Sequence, residues 1–86
     1  MEQRPFEDYR YMEQGDKDFV IRLLFYDYLE TVDFNRRKKK GPQFINTIIQ
    51  NDFKEHIRLQ NYEACMVISD MKRRYKIEIE LHDDLL

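Results

Sequence analysis

The spacing of apolar residues between positions 16 and 76 most constrains the fold of this chain. Apolar side chains recur there at steps of three and four in three successive segments, which is the pattern of one buried helical face. They are Phe19, Val20, Leu23, Leu24, Tyr28 and Val32; then Ile45, Ile48, Ile49, Phe53 and Ile57; then Ala64, Val67, Ile68, Met71 and Tyr75. The spacing predicts helices over about 17–33, 42–59 and 63–75, the last two forming an antiparallel hairpin.

The scarcity of turn-forming residues also indicates a helical fold class. The chain has only two glycines and two prolines, whereas sandwiches and barrels need many tight turns. Gly41 and Pro42 end the first predicted helix, and Asn61 is a good N-cap for the third. The predicted fold class is therefore all-α, with one small three-helix domain over 16–76.

The first predicted helix carries more apolar residues than one buried face needs. Ile21, Phe25 and Leu29 widen its apolar stripe around the cylinder. The helix is therefore either central to the core or leaves surface for a partner, and that partner could be a second copy of the chain. If it docks on another protein, Phe25, Tyr26 and Leu29 are the predicted anchors, because large buried side chains carry most interface energy.

Two segments flank the predicted domain. Residues 1–15 have no steady period and are interpreted as a flexible N-terminal arm. In residues 77–86, Ile77, Ile79 and Leu81 alternate with polar residues, and a period of two predicts an extended acidic tail. Such a tail could add an edge strand to a partner or fold back on the basic centre. Its last residues suit a shallow apolar pocket with a basic rim; they are Asp83, Asp84, Leu85 and Leu86.

Charge is sorted into three blocks along the chain. Residues 1–35 hold four Lys/Arg against nine Asp/Glu, 36–76 hold eleven against four, and 77–86 hold none against four, giving −5, +7 and −4, which sum to −2. The blocks either neutralise one another in the fold or meet charged partners. The contiguous cations of the second block are Arg36, Arg37, Lys38, Lys39 and Lys40. In a connecting loop they could contact phosphates, which makes nucleic-acid binding the alternative function.

Residues that carry chemistry are few. Cys65 is the only cysteine, so no internal disulfide forms, and it has no metal-ligand spacing to His56 or His82. No serine or threonine lies in register with a base. We therefore expect no enzymatic activity, metal or cofactor. The sequence has no signal-peptide pattern and no apolar run of 18 residues, so we expect an intracellular protein without a membrane span.

Two stretches resemble known families. Residues Asn61 to Lys72 read NYEACMVISDMK and resemble helical hairpins of the UVR and IDEAL type, which implies a protein-docking hairpin. The acidic segment ending in Leu85 and Leu86 is similar to the tails of T4-type phage late-transcription factors, although the aromatic residue expected before the final leucines is replaced by aspartates. This second resemblance implies a coactivator that contacts RNA polymerase and a sliding clamp. The sequence as a whole predicts a non-enzymatic adaptor.

Overall fold

The computed structural model describes residues 6–85 and shows an all-α fold, as the apolar spacing predicts. A short 3₁₀ turn, Tyr9–Tyr11, precedes the α-helices. These are α1 (Gln14–Lys38), α2 (Ile45–Arg58), α3 (Tyr62–Arg74) and α4 (Lys76–Asp84). Across the described part of the chain, none of these helices combines the length and apolar character needed to cross a membrane.

The core lies where α1 packs on the α2–α3 hairpin, with α4 closing one side. Its buried members are Ile21, Phe25, Tyr28 and Val32 from α1; Ile45, Ile48 and Ile49 from α2; Ile68 and Met71 from α3; and Ile79 from α4. The hairpin is antiparallel as predicted: the Cys65 thiol lies 4.0 Å from the Phe53 carbonyl, and Gln50 lines the same groove as Ser69.

Helix α1 extends five residues beyond its predicted end and includes most of the basic run. The chain stays helical to Lys38, and Lys39 adopts a left-handed conformation with φ +52° as the C-cap. Arginine and lysine are good helix formers, and cations are favoured near a helix C-terminus. The prediction that the basic run lies in a connecting loop is therefore wrong for Arg36, Arg37 and Lys38.

The buried face of α1 differs from the predicted stripe. Ile21, Phe25, Tyr28 and Val32 are buried, whereas the predicted core residues Phe19 and Leu23 are about half exposed. Because α1 is apolar around most of its circumference, periodicity alone does not determine which face is buried. Packing determines it, since the Phe25 ring stacks on Tyr75 with centroids 4.3 Å apart.

Part of the predicted N-terminal arm packs on the domain. Tyr9 is buried, and its hydroxyl donates a hydrogen bond to the Asp70 carboxylate on α3 at 2.6 Å. Arg10 forms an ion pair with Glu63 at 3.1 Å. Helix α1 begins at Gln14, two residues before the predicted start of the domain at residue 16. Residues 1–5 of the predicted arm lie outside the described residues.

The prediction of an extended conformation for 77–86 is wrong, because these residues form α4 through Asp84. Alternation over so few positions fits a helix as well as a strand. A helix also lets Ile79 enter the core, where it is 3% exposed. Leu86 lies outside the described residues.

Candidate functional site

The outward side of α4 carries an apolar stripe. Ile77, Leu81 and Leu85 are 69%, 57% and 87% exposed. Residues four apart are neighbours on a helix surface, so the three side chains line one side of α4 over about 12 Å. We call these three residues the α4 stripe. Large aliphatic groups in a row on a helix form a surface that another protein can cover.

Carboxylates flank the α4 stripe. Glu78, Glu80 and Asp84 are exposed on the same short helix. Lys76, at the first position of α4, is exposed as well. On α4 itself the exposed charges are therefore mainly acidic, although Lys72 and Arg73 of α3 line a groove together with Glu80. The acidic residues favour a partner surface that is apolar at its centre and basic at its edge.

Asp83 holds α4 against the start of α2. Its carboxylate accepts hydrogen bonds from the backbone N–H groups of Ile45 at 2.9 Å and Asn46 at 3.3 Å, and from the Asn46 side-chain amide at 3.0 Å. The N-cap of α2, Phe44, supplies no side-chain hydrogen bond. Asp83 therefore satisfies two of the N–H groups that a helix start leaves without intrahelical partners.

Two residues of the predicted tail that are expected to bind a partner instead make contacts within the domain. Ile79 is buried in the core, and Asp83 is bound to α2. The prediction that Ile79 binds a partner is therefore wrong for the folded domain, whereas partner binding by the part-buried Asp83 stays a prediction. Asp84 and the α4 stripe stay accessible, while the predicted Leu86 contact lies outside the described residues.

A second exposed apolar surface lies on α1. Phe19, Leu23, Tyr26 and Phe34 are each about half exposed. At 3.6 residues per turn they fall within a sector of about 80°, on the opposite side of α1 from the buried residues. We call these four residues the α1 outer face. The Arg22 guanidinium lies 5.7 Å from the Phe19 ring centroid and flanks this face at one end.

Only one of the three predicted α1 anchors belongs to this outer face. Phe25 is buried against Tyr75, and Leu29 is partly buried against the core. Both side chains serve the fold, so the prediction that Phe25 is a docking anchor is wrong for the folded domain. Tyr26 is the predicted anchor that stays exposed.

The basic run divides in the structure. Arg37, Lys38, Lys39 and Lys40 are exposed at the end of α1, whereas Arg36 is partly buried with its Nη1 atom 4.0 Å from Asp33. Two cations in the last turn of α3 have internal partners: Arg74 pairs with Asp18 at 3.0 Å, and Arg73 pairs with Asp70. Part of the central positive charge is therefore neutralised within the fold.

The Cys65 thiol and the Tyr28 hydroxyl belong to buried residues. Burial raises the pKa of the Cys65 thiol, which lowers the fraction of nucleophilic thiolate. The pKa of Tyr28 is raised by burial and then by the nearby Asp52 carboxylate. Within residues 6–85, no group of three or more His, Cys, Asp or Glu side chains is placed to hold a metal ion.

Comparison with protein-family models, with curated proteins and with solved structures found no match for this chain. Function is therefore inferred from the geometry of the α4 stripe and the α1 outer face. The sequence predicts a docking surface on the first helix, of which only Tyr26 belongs to the α1 outer face, and it predicts residues 77–86 as an extended tail rather than as a helical face. An apolar step of four from Ile77 through Leu81 to Leu85 was the available signal, but the alternation with acids in the same segment obscured it.

Proposed function

We propose that this protein is a non-enzymatic adaptor that docks on a larger protein through the α4 stripe. The observation that carries the proposal is a row of three exposed aliphatic side chains on a helix whose opposite side is fixed to the domain. Ile79 and Asp83 provide that attachment. The mode of docking is an amphipathic helix placed in an apolar groove, with anchors at steps of four.

The α4 stripe is large enough to contribute substantially to binding. Full burial of an aliphatic side chain of this size contributes about 1.5–3 kcal/mol, and the three anchors begin more than half exposed. Association and side-chain ordering oppose this gain. A helix that is already folded loses less conformational freedom on binding than a free peptide does, so the internal contacts of Ile79 and Asp83 favour affinity.

The acidic residues on α4 support a partner with a basic rim around its apolar groove. Glu78, Glu80 and Asp84 favour a groove with lysine or arginine at its rim, and such pairs increase association rate and specificity more than affinity. A transcription coactivator that joins an RNA polymerase subunit to a sliding clamp is the concrete form of this proposal. Its support is the acidic, leucine-rich character of residues 77–86.

Nucleic-acid binding is the second candidate function, favoured by the four exposed cations from Arg37 to Lys40. Phosphate contacts at such a run would give an affinity that falls steeply with salt and carries no sequence preference. A gel-shift series over increasing salt, with a Lys38→Gln/Lys39→Gln/Lys40→Gln variant, measures its contribution. Binding that persists at moderate salt and is lost in the variant would favour this candidate over the adaptor.

The adaptor proposal is tested with matched baits in cell lysate and then with purified candidate partners. The Ile77→Ala/Leu81→Ala variant removes two anchors but keeps good helix formers in α4. Tyr62→Ala is the control, because Tyr62 is an exposed apolar residue at the start of α3. We expect wild type and Tyr62→Ala to retain the same protein and the double variant to lose it.

Circular dichroism of the three baits provides the control for folding, and we expect equal helical content. Direct binding to purified RNA polymerase and sliding clamp then tests the transcription form of the proposal separately. Identical protein partners for all three baits would contradict docking through the α4 stripe.

A further inference from the structure

We propose that the α1 outer face binds the same face of a second copy of this chain, in antiparallel orientation, to form a reversible homodimer. This inference is independent of docking through α4, because the two surfaces lie on different helices. The α1 outer face consists of four large exposed side chains on the side of the longest described helix that faces away from the core. The distribution of charge along α1 identifies the occupant.

The two ends of α1 carry opposite exposed charges. Asp16 lies in the first turn and Arg37 in the last, and both are exposed. At 100° per residue, both fall on the sector of the α1 outer face. An antiparallel second copy brings each Asp16 to an Arg37, whereas a parallel copy would place like charges together. Antiparallel helix dipoles also bring opposite partial charges together at each end.

One register places Phe19 and Phe34 in contact and also pairs the two opposite charges. If the two-fold axis passes between positions 26 and 27, residues whose numbers sum to 53 face each other. Phe19 then lies opposite Phe34 of the second copy, Asp16 opposite its Arg37, and Tyr26 opposite its Asp27, next to the axis. A two-fold axis repeats every contact, so the dimer contains two Phe–Phe contacts and two ion pairs.

The size of this face predicts a weak dimer. A helix of this length measures about 37 Å, and with a width of about 12 Å it covers about 450 Å² per copy. The total of about 900 Å² lies below the size of standard stable interfaces and in the range of transient ones. Glu30 also faces Leu23 in this register, and a carboxylate opposite an aliphatic side chain weakens binding at the centre of the interface. We therefore expect a dimer that dissociates on dilution.

Sedimentation equilibrium of the full chain tests the interface over about 10 μM to 1 mM protein. We expect the mean mass of wild type to rise toward twice the monomer mass, and Phe19→Ala/Phe34→Ala to weaken association by at least about tenfold. Circular dichroism checks that the variant keeps its helical content. A wild type that stays monomeric over the whole range, or a dimer unaffected by the double variant, would overturn the proposal.

A charge swap tests the orientation. Asp16→Arg and Arg37→Asp should each weaken the dimer, and the combined Asp16→Arg/Arg37→Asp variant should restore it, because the swapped charges again face opposite partners. Lys38→Asp is the matched control, since it makes the same charge change one residue away and about 100° around the helix. Weakening by both single changes without restoration in the combined variant would overturn the antiparallel register.

Discussion

The carboxylate of Asp83 accepts a hydrogen bond from the backbone N–H of Ile45 at 2.9 Å, joining the end of α4 to the start of α2. This contact spans 38 residues of sequence. It supplies from a distant segment the acceptor that a local Ser, Thr, Asp or Asn would provide at an N-cap. It also places a negative charge at the positive end of the α2 dipole.

The first prediction concerns this contact. Asp83→Ala should lower the free energy of unfolding by about 1–2 kcal/mol, because the α2 N–H groups lose their acceptor. Asp83→Asn, which keeps one carbonyl oxygen as an acceptor, should lower the free energy of unfolding by less. Asp84→Ala is the control at an exposed neighbouring carboxylate, and it should change stability by no more than about 0.5 kcal/mol. Urea unfolding measures all three, and equal losses for the alanine variants would contradict the capping role.

A second prediction separates two isoleucines that lie two positions apart. Ile79 is 3% exposed and Ile77 is 69% exposed. Ile79→Ala should lower the free energy of unfolding by about 2–4 kcal/mol through the cavity it leaves, whereas Ile77→Ala should change it by about 0.5 kcal/mol or less. Chemical unfolding provides the comparison. Similar costs at both positions would mean that these residues share one face, as they would in a strand.

The same two residues show why the sequence predicts the fold class but not the last element. Steps of three and four are repeated over many turns in α2 and α3, so periodicity suffices there. In 77–86 the alternation of Ile77, Ile79 and Leu81 covers only a few positions, and it fits a strand as well as a helix. Tertiary contacts decide between helix and strand in this segment, because Ile79 packs in the core and Asp83 binds the start of α2.

A third prediction tests the attachment of the N-terminal segment. Tyr9→Phe removes the hydroxyl that donates to Asp70 at 2.6 Å and should lower the free energy of unfolding by about 1–2 kcal/mol, since the acceptor is a carboxylate. Tyr11→Phe is the matched control because Tyr11 is 82% exposed. Thermal and urea unfolding compare the two variants. Equal stability of both would show that the Tyr9–Asp70 bond contributes nothing net.

The fourth prediction concerns alkaline pH. Burial raises the pKa of Tyr28, and burial followed by the hydrogen bond to Asp70 raises the pKa of Tyr9. The folded state therefore binds these protons more tightly than the unfolded chain, whose tyrosines titrate near 10. The stabilisation that comes from these raised pKa values is therefore complete below about pH 10. Above that pH the free energy of unfolding falls by about 1.4 kcal/mol per pH unit for each such tyrosine. Urea midpoints between pH 9 and 11 measure the slope, and Tyr28→Phe should reduce it. An unchanged slope in that variant would contradict a role for Tyr28.

The candidate site was predictable only in part, for a reason visible in α1. Composition indicates that this helix has more apolar surface than a small core can bury, and Tyr26 is indeed exposed. The choice between Phe25 and Phe19 as the exposed ring depends on Tyr75, which stacks on Phe25 from the start of α4. No local pattern contains that long-range contact, so the sequence could not assign the two faces.

The last prediction uses Cys65 as a probe of opening. Its thiol is buried next to the Phe53 carbonyl, and burial raises its pKa, so iodoacetamide should react slowly with the folded protein and rapidly in urea. If exposure of the thiol requires unfolding of the domain, a variant that is less stable by about 1.4 kcal/mol should react about tenfold faster. Asp83→Ala provides that variant, because Asp83 binds the first residues of α2, whereas Cys65 lies beside Phe53 in the second half of that helix. Mass spectrometry of alkylated protein over time gives the rates. Equal rates for wild type and Asp83→Ala would show that the α2–α3 hairpin opens locally around Cys65, independently of the contact between α4 and α2.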